Sequence, residues 1–279
     1  MLKQRVITAL VLLAVLLPAL FAPMHWPFAV LTLVAIGAAG WEWARLNGVT
    51  GLGAVALGTL LAAACAAALW AGWAVSAPVA VWWLATLVWV LGGAWALKGG
   101  PVGWPALPRA LRCALGLIAL WTAWLALANA KAAGINFILS VFCLVWAADI
   151  AAYFGGKSFG KRKLAPTISP GKSWEGVWSG MAGVVLLAVL WIILDSRLDV
   201  DSASLYSGLV EQHGPLFLAA VLLFLAAMSV VGDLVESLVK RSAGAKDSSS
   251  LLPGHGGVLD RIDALLPVFP LALAMSSIP

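Results

Sequence analysis

Two polar stretches hold residue types suited to chemistry on phosphates. The longer begins VVGDLVESLVKR at Val230 and runs on through SAGAKDSSSLLPGHGGVLDRID to Asp263. On a helix, Asp233, Glu236 and Lys240 fall at i, i+3 and i+7 and share one face, with Ser237 beside them. Asp260 and Asp263 stand at i and i+3, a spacing that lets both carboxylates face one point. Paired carboxylates with hydroxyls and room for water suit Mg²⁺, a hard cation that takes one or two carboxylates plus substrate phosphates. His255 lies between Gly254 and Gly256 with no Cys or second His nearby in sequence, so it reads as a donor to phosphate, not as a zinc ligand.

The shorter stretch is WAADIAAYFGGKSFGKRKLAPTISPGKSWEG, Trp146 to Gly176. Asp149 sits near the end of an apolar helix, where an ionised carboxylate needs a cation or a cavity. Gly155, Gly156, Gly160 and Gly171 let backbone approach a ligand, and Lys157, Lys161, Arg162, Lys163 and Lys172 offer charge to phosphate oxygens. Ser169, Ser173 and a helix starting near Trp174 supply hydroxyls and free N–H groups. The spacing is not that of a Walker A loop. Plainer readings exist: the lysines as a topology anchor, and Asp260 in a salt bridge to Arg261 or Lys246.

The elements that carry these residues must lie in lipid. The chain has 279 residues, 63% hydrophobic and 10% charged, with mean hydropathy +1.01, against about 25% charged residues in soluble domains. Such a composition cannot build a water-facing surface, and no polar block is long enough for a soluble domain. The net charge of +5 serves topology and anionic head groups, and nucleic acid is not expected as a partner. Cys65, Cys113 and Cys143 fall in apolar runs without CxxC spacing, so no disulfide frame or zinc site is indicated.

Apolar runs predict an all-α polytopic membrane protein of about nine transmembrane helices, near 6–22, 27–45, 51–73, 77–97, 111–130, 136–154, 176–194, 215–237 and 264–278. The first follows Lys3 and Arg5 and is read as an uncleaved span with the N-terminus cytoplasmic. That places the basic segments at Arg45, 98–112, 155–175 and 239–263 in the cytoplasm. The acidic linker 195–214, with Asp195, Asp199, Asp201 and Glu211, falls outside. Glu42 is the only acid before Asp149, so 1–135 reads as scaffold and 136–279 as the catalytic region. Glu42 itself reads as a local ion pair with Arg45 at i+3.

The residues from Ser237, Lys240 and Arg241 through Lys246, Asp247, Pro253, His255, Gly256 and Gly257 to Asp260, Arg261 and Asp263 resemble the signature of the phosphatidate cytidylyltransferase (CDP-diacylglycerol synthase) family. Asp149, ISPGKSWEG and GDLVESLVKR resemble that pattern too, so the likeness covers roughly the C-terminal half. Ala264 departs from it, where a Ser often follows the final Asp. The resemblance implies Mg²⁺-dependent transfer of the cytidylyl group from CTP to phosphatidic acid in phospholipid biosynthesis. The setting implied is a bacterial-type inner membrane, with the site facing the cytoplasm. It implies catalytic roles for Asp233, Lys240, Arg241, Lys246, Asp247, His255 and Arg261, and contacts to substrate phosphates from Lys157, Ser169, Lys172, Ser173, Glu175 and Ser237. Asp149, Asp233, Asp260 and Asp263 would hold metal, with room for a second cation, and a homodimer is expected. Two alternatives use the same residues: a CTP-dependent polyisoprenoid or phytol kinase, and an ion-coupled transporter.

Overall fold

Helices are the only open structure that leaves no backbone N–H or C=O unpaired in lipid, and the apolar runs fold accordingly. A computed structural model describes residues 2–24 and 26–279; the side chains of residues 2–6 and 9, with Lys3 and Arg5 and the orientation they suggest, lie outside the described residues. In chain order the helices are α1 (Leu2–Phe21), α2 (Trp26–Leu46), α3 (Gly51–Trp70) and α4 (Val79–Leu87), which continues through a π turn (Val88–Gly92) into α5 (Gly93–Gly103). There follow α6 (Arg109–Ala133), α7 (Ile135–Phe159), a ribbon of β1 (Lys163–Ala165) and β2 (Ser169–Ser173), and α8 (Trp174–Asp195). Last come α9 (Leu205–His213), α10 (Pro215–Ser242), the single turn α11 (Leu259–Ile262) and α12 (Leu265–Ser276).

Among the described residues, seven helices are long and apolar enough to cross a membrane, with α4 and α5 forming one of them. α12, at 12 residues, is shorter than a full crossing of about 20. Trp70 is 94% exposed and Leu216 87%, a surface stable only against lipid.

Gly134, at φ 143°, breaks the chain between α6 and α7, and Gly214, at φ 83°, does so ahead of Pro215. α7 and α8 pack closely because their contact is lined by small residues. A Cβ on Gly155 would lie 1.9 Å from Ser179 Oγ, and one on Gly180 2.9 Å from the Ala148 carbonyl. The first free N–H groups of α7 are capped from a distance: Asp201 accepts from Ile135 N (2.5 Å) and Asn136 N (2.9 Å).

Two expectations are revised here. The 195–214 linker is not plain loop, since it contains α9, whose Tyr206 is fully buried and donates to the Ser140 carbonyl at 2.7 Å. The SPGKS segment, whose Gly171 and hydroxyls were read as ligand-facing, forms strand β2, antiparallel to β1 with Lys163 opposite Ser173.

Hydrogen bonds fix which segments share an end of the bundle. Thr8 Oγ1 donates to the Pro253 carbonyl (2.8 Å), Trp43 Nε1 to the Arg112 carbonyl (2.9 Å), and Arg241 Nε to the Ile168 carbonyl (3.3 Å). With the contacts of Glu42 described below, these gather all four basic segments at one end. Asp195, Asp201, Asn136 and Ser202 meet at the other, where Asn136 Nδ2 donates to Asp195 (3.0 Å) and to the Ser202 carbonyl (2.8 Å).

Candidate active site

A cavity of about 480 Å³ opens at the basic end, between the last turns of α7, the β ribbon, the start of α8 and the middle of α10. Its wall carries Asp149, Tyr153 and Lys157 from α7, Ser169, Lys172 and Ser173 from β2, and Asp233 from α10. The start of α8 and the ribbon have local reasons to sit there. Ser173 is the N-cap of α8, accepting from Gly176 N at 3.2 Å, and its hydroxyl is buried beside Gly156 and Gly160. The ribbon is held from two sides. Glu175 accepts from Lys161 N (3.1 Å), Arg162 N (3.1 Å) and Arg162 Nε (3.1 Å), while Arg241 grips Ile168. Both Glu175 and Arg241 thus shape the wall.

Inside the cavity Lys172 Nζ lies 2.6 Å from Asp233 Oδ2, and Ser237 Oγ donates to Asp233 Oδ1 at 3.2 Å. Behind this pair sits Asp263, whose Oδ1 accepts from Ala264 N at 2.8 Å. Burial, then the neighbouring Asp233 charge, push the Asp263 carboxyl up to about 8, with Asp149 adding to the effect and Lys240 opposing it. Asp149, Asp233 and Asp263 therefore feel one another across a small space.

Asp260 stands apart from Asp263. Its Oδ1 accepts from Lys240 Nζ (2.5 Å), and its Oδ2 from Gly257 N (2.7 Å), Ser248 Oγ (2.7 Å) and Ser248 N (2.8 Å). Burial works against ionisation, yet the Lys240 ammonium and these donors hold the Asp260 carboxyl below its ordinary range. The i, i+3 spacing was expected to turn both acids to one point; the chain turn at α11 sends them to different partners. Lys240 also lies 2.6 Å from Glu236 Oε2, and the other oxygen of Glu236 is buried without a partner. Lys240 thus holds Glu236 and Asp260 together and does not face the cavity.

Lys246, Asp247 and Arg261 are exposed, and among the described residues they make no ion pair or side-chain hydrogen bond. His255 is half-buried with Nδ1 unpartnered. The structure thus brings Asp149, Lys157, Ser169, Lys172, Ser173 and Asp233 to one cavity with Asp263 and Ser237 against it, and leaves Lys246, Asp247, His255 and Arg261 off its wall. Among the described residues no three His, Cys, Asp or Glu side chains form a complete metal cage. A hard cation that draws most of its shell from phosphate and water needs only two carboxylates, and this donor set suits one.

A sequence model described as the Cytidylyltransferase family matches residues 3–278, nearly the whole chain. The chain belongs to that family. The phosphatidate cytidylyltransferase of Pseudomonas aeruginosa is 42% identical over 99% of this chain and 97% of its own length. Those of Haemophilus influenzae and Bacillus subtilis are 50% and 39% identical, each over 49% of this chain and 44% and 46% of their own lengths. The likeness to the Pseudomonas protein extends through the N-terminal half, where the sequence resembled the family only in being apolar.

One functional candidate escaped the sequence reading in that half. Glu42 was expected to pair with Arg45, but the Arg45 guanidinium lies over the Trp41 ring, 4.6 Å from its centroid. The Glu42 carboxylate is fully buried and accepts from Leu259 N (2.7 Å), Ser249 Oγ (2.6 Å), Val258 N (3.0 Å) and Ser248 Oγ (3.3 Å). Its signal was its isolation: the single acid in the first 148 residues, set in an apolar helix, needs a partner from elsewhere.

Proposed function

We propose that this chain is a phosphatidate cytidylyltransferase that converts CTP and phosphatidate to CDP-diacylglycerol and pyrophosphate at the cytoplasmic face of a bacterial inner membrane. The observation that carries the reading is the end-to-end likeness to the Pseudomonas protein of that name, joined to a lysine-bearing cavity at the basic end of the bundle. The positive-inside rule assigns that end to the cytoplasm, where CTP is available.

The chemistry asks little of a nucleophile. A phosphate oxygen of the lipid attacks the α-phosphorus of CTP; the new P–O bond forms as the bond to the β-phosphate oxygen breaks, and pyrophosphate leaves with that electron pair. The lipid phosphate is already an anion at neutral pH, so no side chain has to remove a proton. The protein must gather like-charged groups and align them. Lys172 and Lys157 supply positive charge, Ser169 and Ser173 orient phosphate oxygens, and the first turn of α8 presents N–H groups to the same space. Asp233 and Asp263 would hold Mg²⁺ with Asp149 at the rim, and the ion would neutralise phosphate charge when bound. Asp260, saturated by its four donors, holds Lys240 and the turn at α11. Homodimerisation is carried forward from the family resemblance.

A CTP-dependent lipid kinase would need a base for its alcohol acceptor, and labelled CTP separates the two. Label from the α-phosphate should enter lipid only when phosphatidate is present, with equimolar pyrophosphate. Entry of γ-label instead would replace this reading with the kinase.

A further inference from the structure

We propose that Glu42 is a positioning residue for cytidylyl transfer: from the N-terminal half it latches the 248–259 loop so that Asp260 stays seated on Lys240. The inference rests on the activity proposed above and concerns how the site is held.

Four donors converge on one fully buried carboxylate, two hydroxyls and two backbone N–H groups, all 206 to 217 residues away along the chain. A buried carboxylate with no cation beside it is stable only when its lone pairs are filled, and the loop fills them. Asp260 grips the same loop from the opposite side, through Ser248 N, Ser248 Oγ and Gly257 N. The two acids share a donor: Ser248 Oγ lies 2.7 Å from Asp260 Oδ2 and 3.3 Å from Glu42 Oε2. They also leave room only for glycine between them. A Cβ on Gly257 would fall 2.1 Å from Ser248 Oγ and 2.2 Å from Glu42 Oε1, and one on Gly256 2.6 Å from Asp260 Oδ2. Loop position, Asp260 position and the Lys240 ion pair are therefore one mechanical unit. Lys240 is on α10, two turns from Asp233 in the cavity, so slack in the loop reaches the site through that helix.

The test uses the full chain purified in detergent, as wild type, Glu42→Gln, Asp260→Asn, the double variant and Ser249→Ala. Gln keeps the size of Glu but turns one acceptor into a donor facing donors. Hydrogen exchange of residues 248–259 should quicken at least about tenfold in Glu42→Gln while the α7–α8 amides do not change. With CTP and phosphatidate, kcat per folded molecule should fall by about tenfold or more, with both KM values within about threefold. The double variant should be no worse than the poorer single variant, because both changes release the same loop. Unchanged kcat per folded molecule, or losses that multiply in the double variant, would overturn the proposal. If Glu42→Gln does not fold, Ser249→Ala, which deletes one donor, takes its place: a several-fold drop in kcat supports the latch and full activity sinks it. A wild-type chain that makes no CDP-diacylglycerol would fail the functional reading instead, and the exchange measurement would then judge the latch alone.

Discussion

Lys172 and Lys163 belong to one basic loop, but only Lys172 reaches the cavity, where Asp233 holds it at 2.6 Å; Lys163 is exposed on β1. A charge-assisted phosphate contact contributes roughly 1.5–3 kcal/mol, so Lys172→Ala should lower kcat/KM by about ten- to a hundredfold and Lys163→Ala by less than about threefold. Steady-state kinetics on both variants checks this, and equal small losses would return the loop to an anchoring role. Asp263 gives a pH signature. With its carboxyl near 8 in the fold and near 4 in the unfolded chain, the native protein holds the extra proton across that window, so this group's contribution to stability declines as pH rises through it. A cation that needs the carboxylate must expel that proton. Mg²⁺ affinity, read by calorimetry on the detergent-purified protein, should rise by up to about tenfold per pH unit from 6 to 8. Asp263→Asn should flatten the slope while leaving the melting temperature close to that of the parent. Affinity that is the same at pH 6 and pH 8 in the parent chain would remove Asp263 from the metal site.

At the scale of elements, the cap that Asp201 places on α7 lies at the end of the bundle opposite the cavity. Asp201→Ala should therefore cost about 1–2 kcal/mol of stability, seen as a lower melting temperature, while kcat at a permissive temperature is kept. The α7–α8 contact, which forms the cavity wall, predicts loss of both stability and activity. Gly155→Val has nowhere to put its side chain against Ser179 and should part the two helices that form the cavity wall, abolishing activity together with folding. These elements differ in how far sequence exposes them. Long apolar runs announce α2 to α8 and α10 because lipid imposes both length and polarity on a spanning helix. The Ser173 cap was legible for a local reason too, since a Ser stands directly ahead of the apolar run that starts at Trp174. The β ribbon and α9 were not: β1 is three residues long, and α9 is a nine-residue helix in a polar linker whose burial of Tyr206 comes from tertiary packing. The separation of Asp260 from Asp263 was hidden too, because i, i+3 spacing aligns side chains only while a helix continues and α11 is one turn long.

For the whole molecule, the gathering of every basic segment at one end makes orientation a single binary question. Impermeant thiol reagents on intact cells should modify Asp199→Cys and spare Ser250→Cys; the opposite result would invert the protein and remove CTP from reach of the cavity. The native Cys65 and Cys113 are buried, and the half-buried Cys143 is replaced by Ala in the parent so that it gives no background. The bundle also divides less cleanly than its polarity suggests, since Glu42 in the apolar half finds all its donors in the last quarter of the chain. That contact sets a schedule for biogenesis. Ribosomes add roughly 5–20 residues per second, so α2 waits on the order of ten to forty seconds between its own synthesis and that of Leu259. Through that interval the nascent membrane domain carries an acid without the four donors that fill its lone pairs in the finished fold. A chain halted before residue 248 lacks all four donors, so its buried carboxylate keeps unfilled lone pairs that only the completed final loop can fill. Pulse-chase of a fragment ending at residue 245 should show rapid turnover that Glu42→Leu in the same fragment slows, while the full-length parent persists.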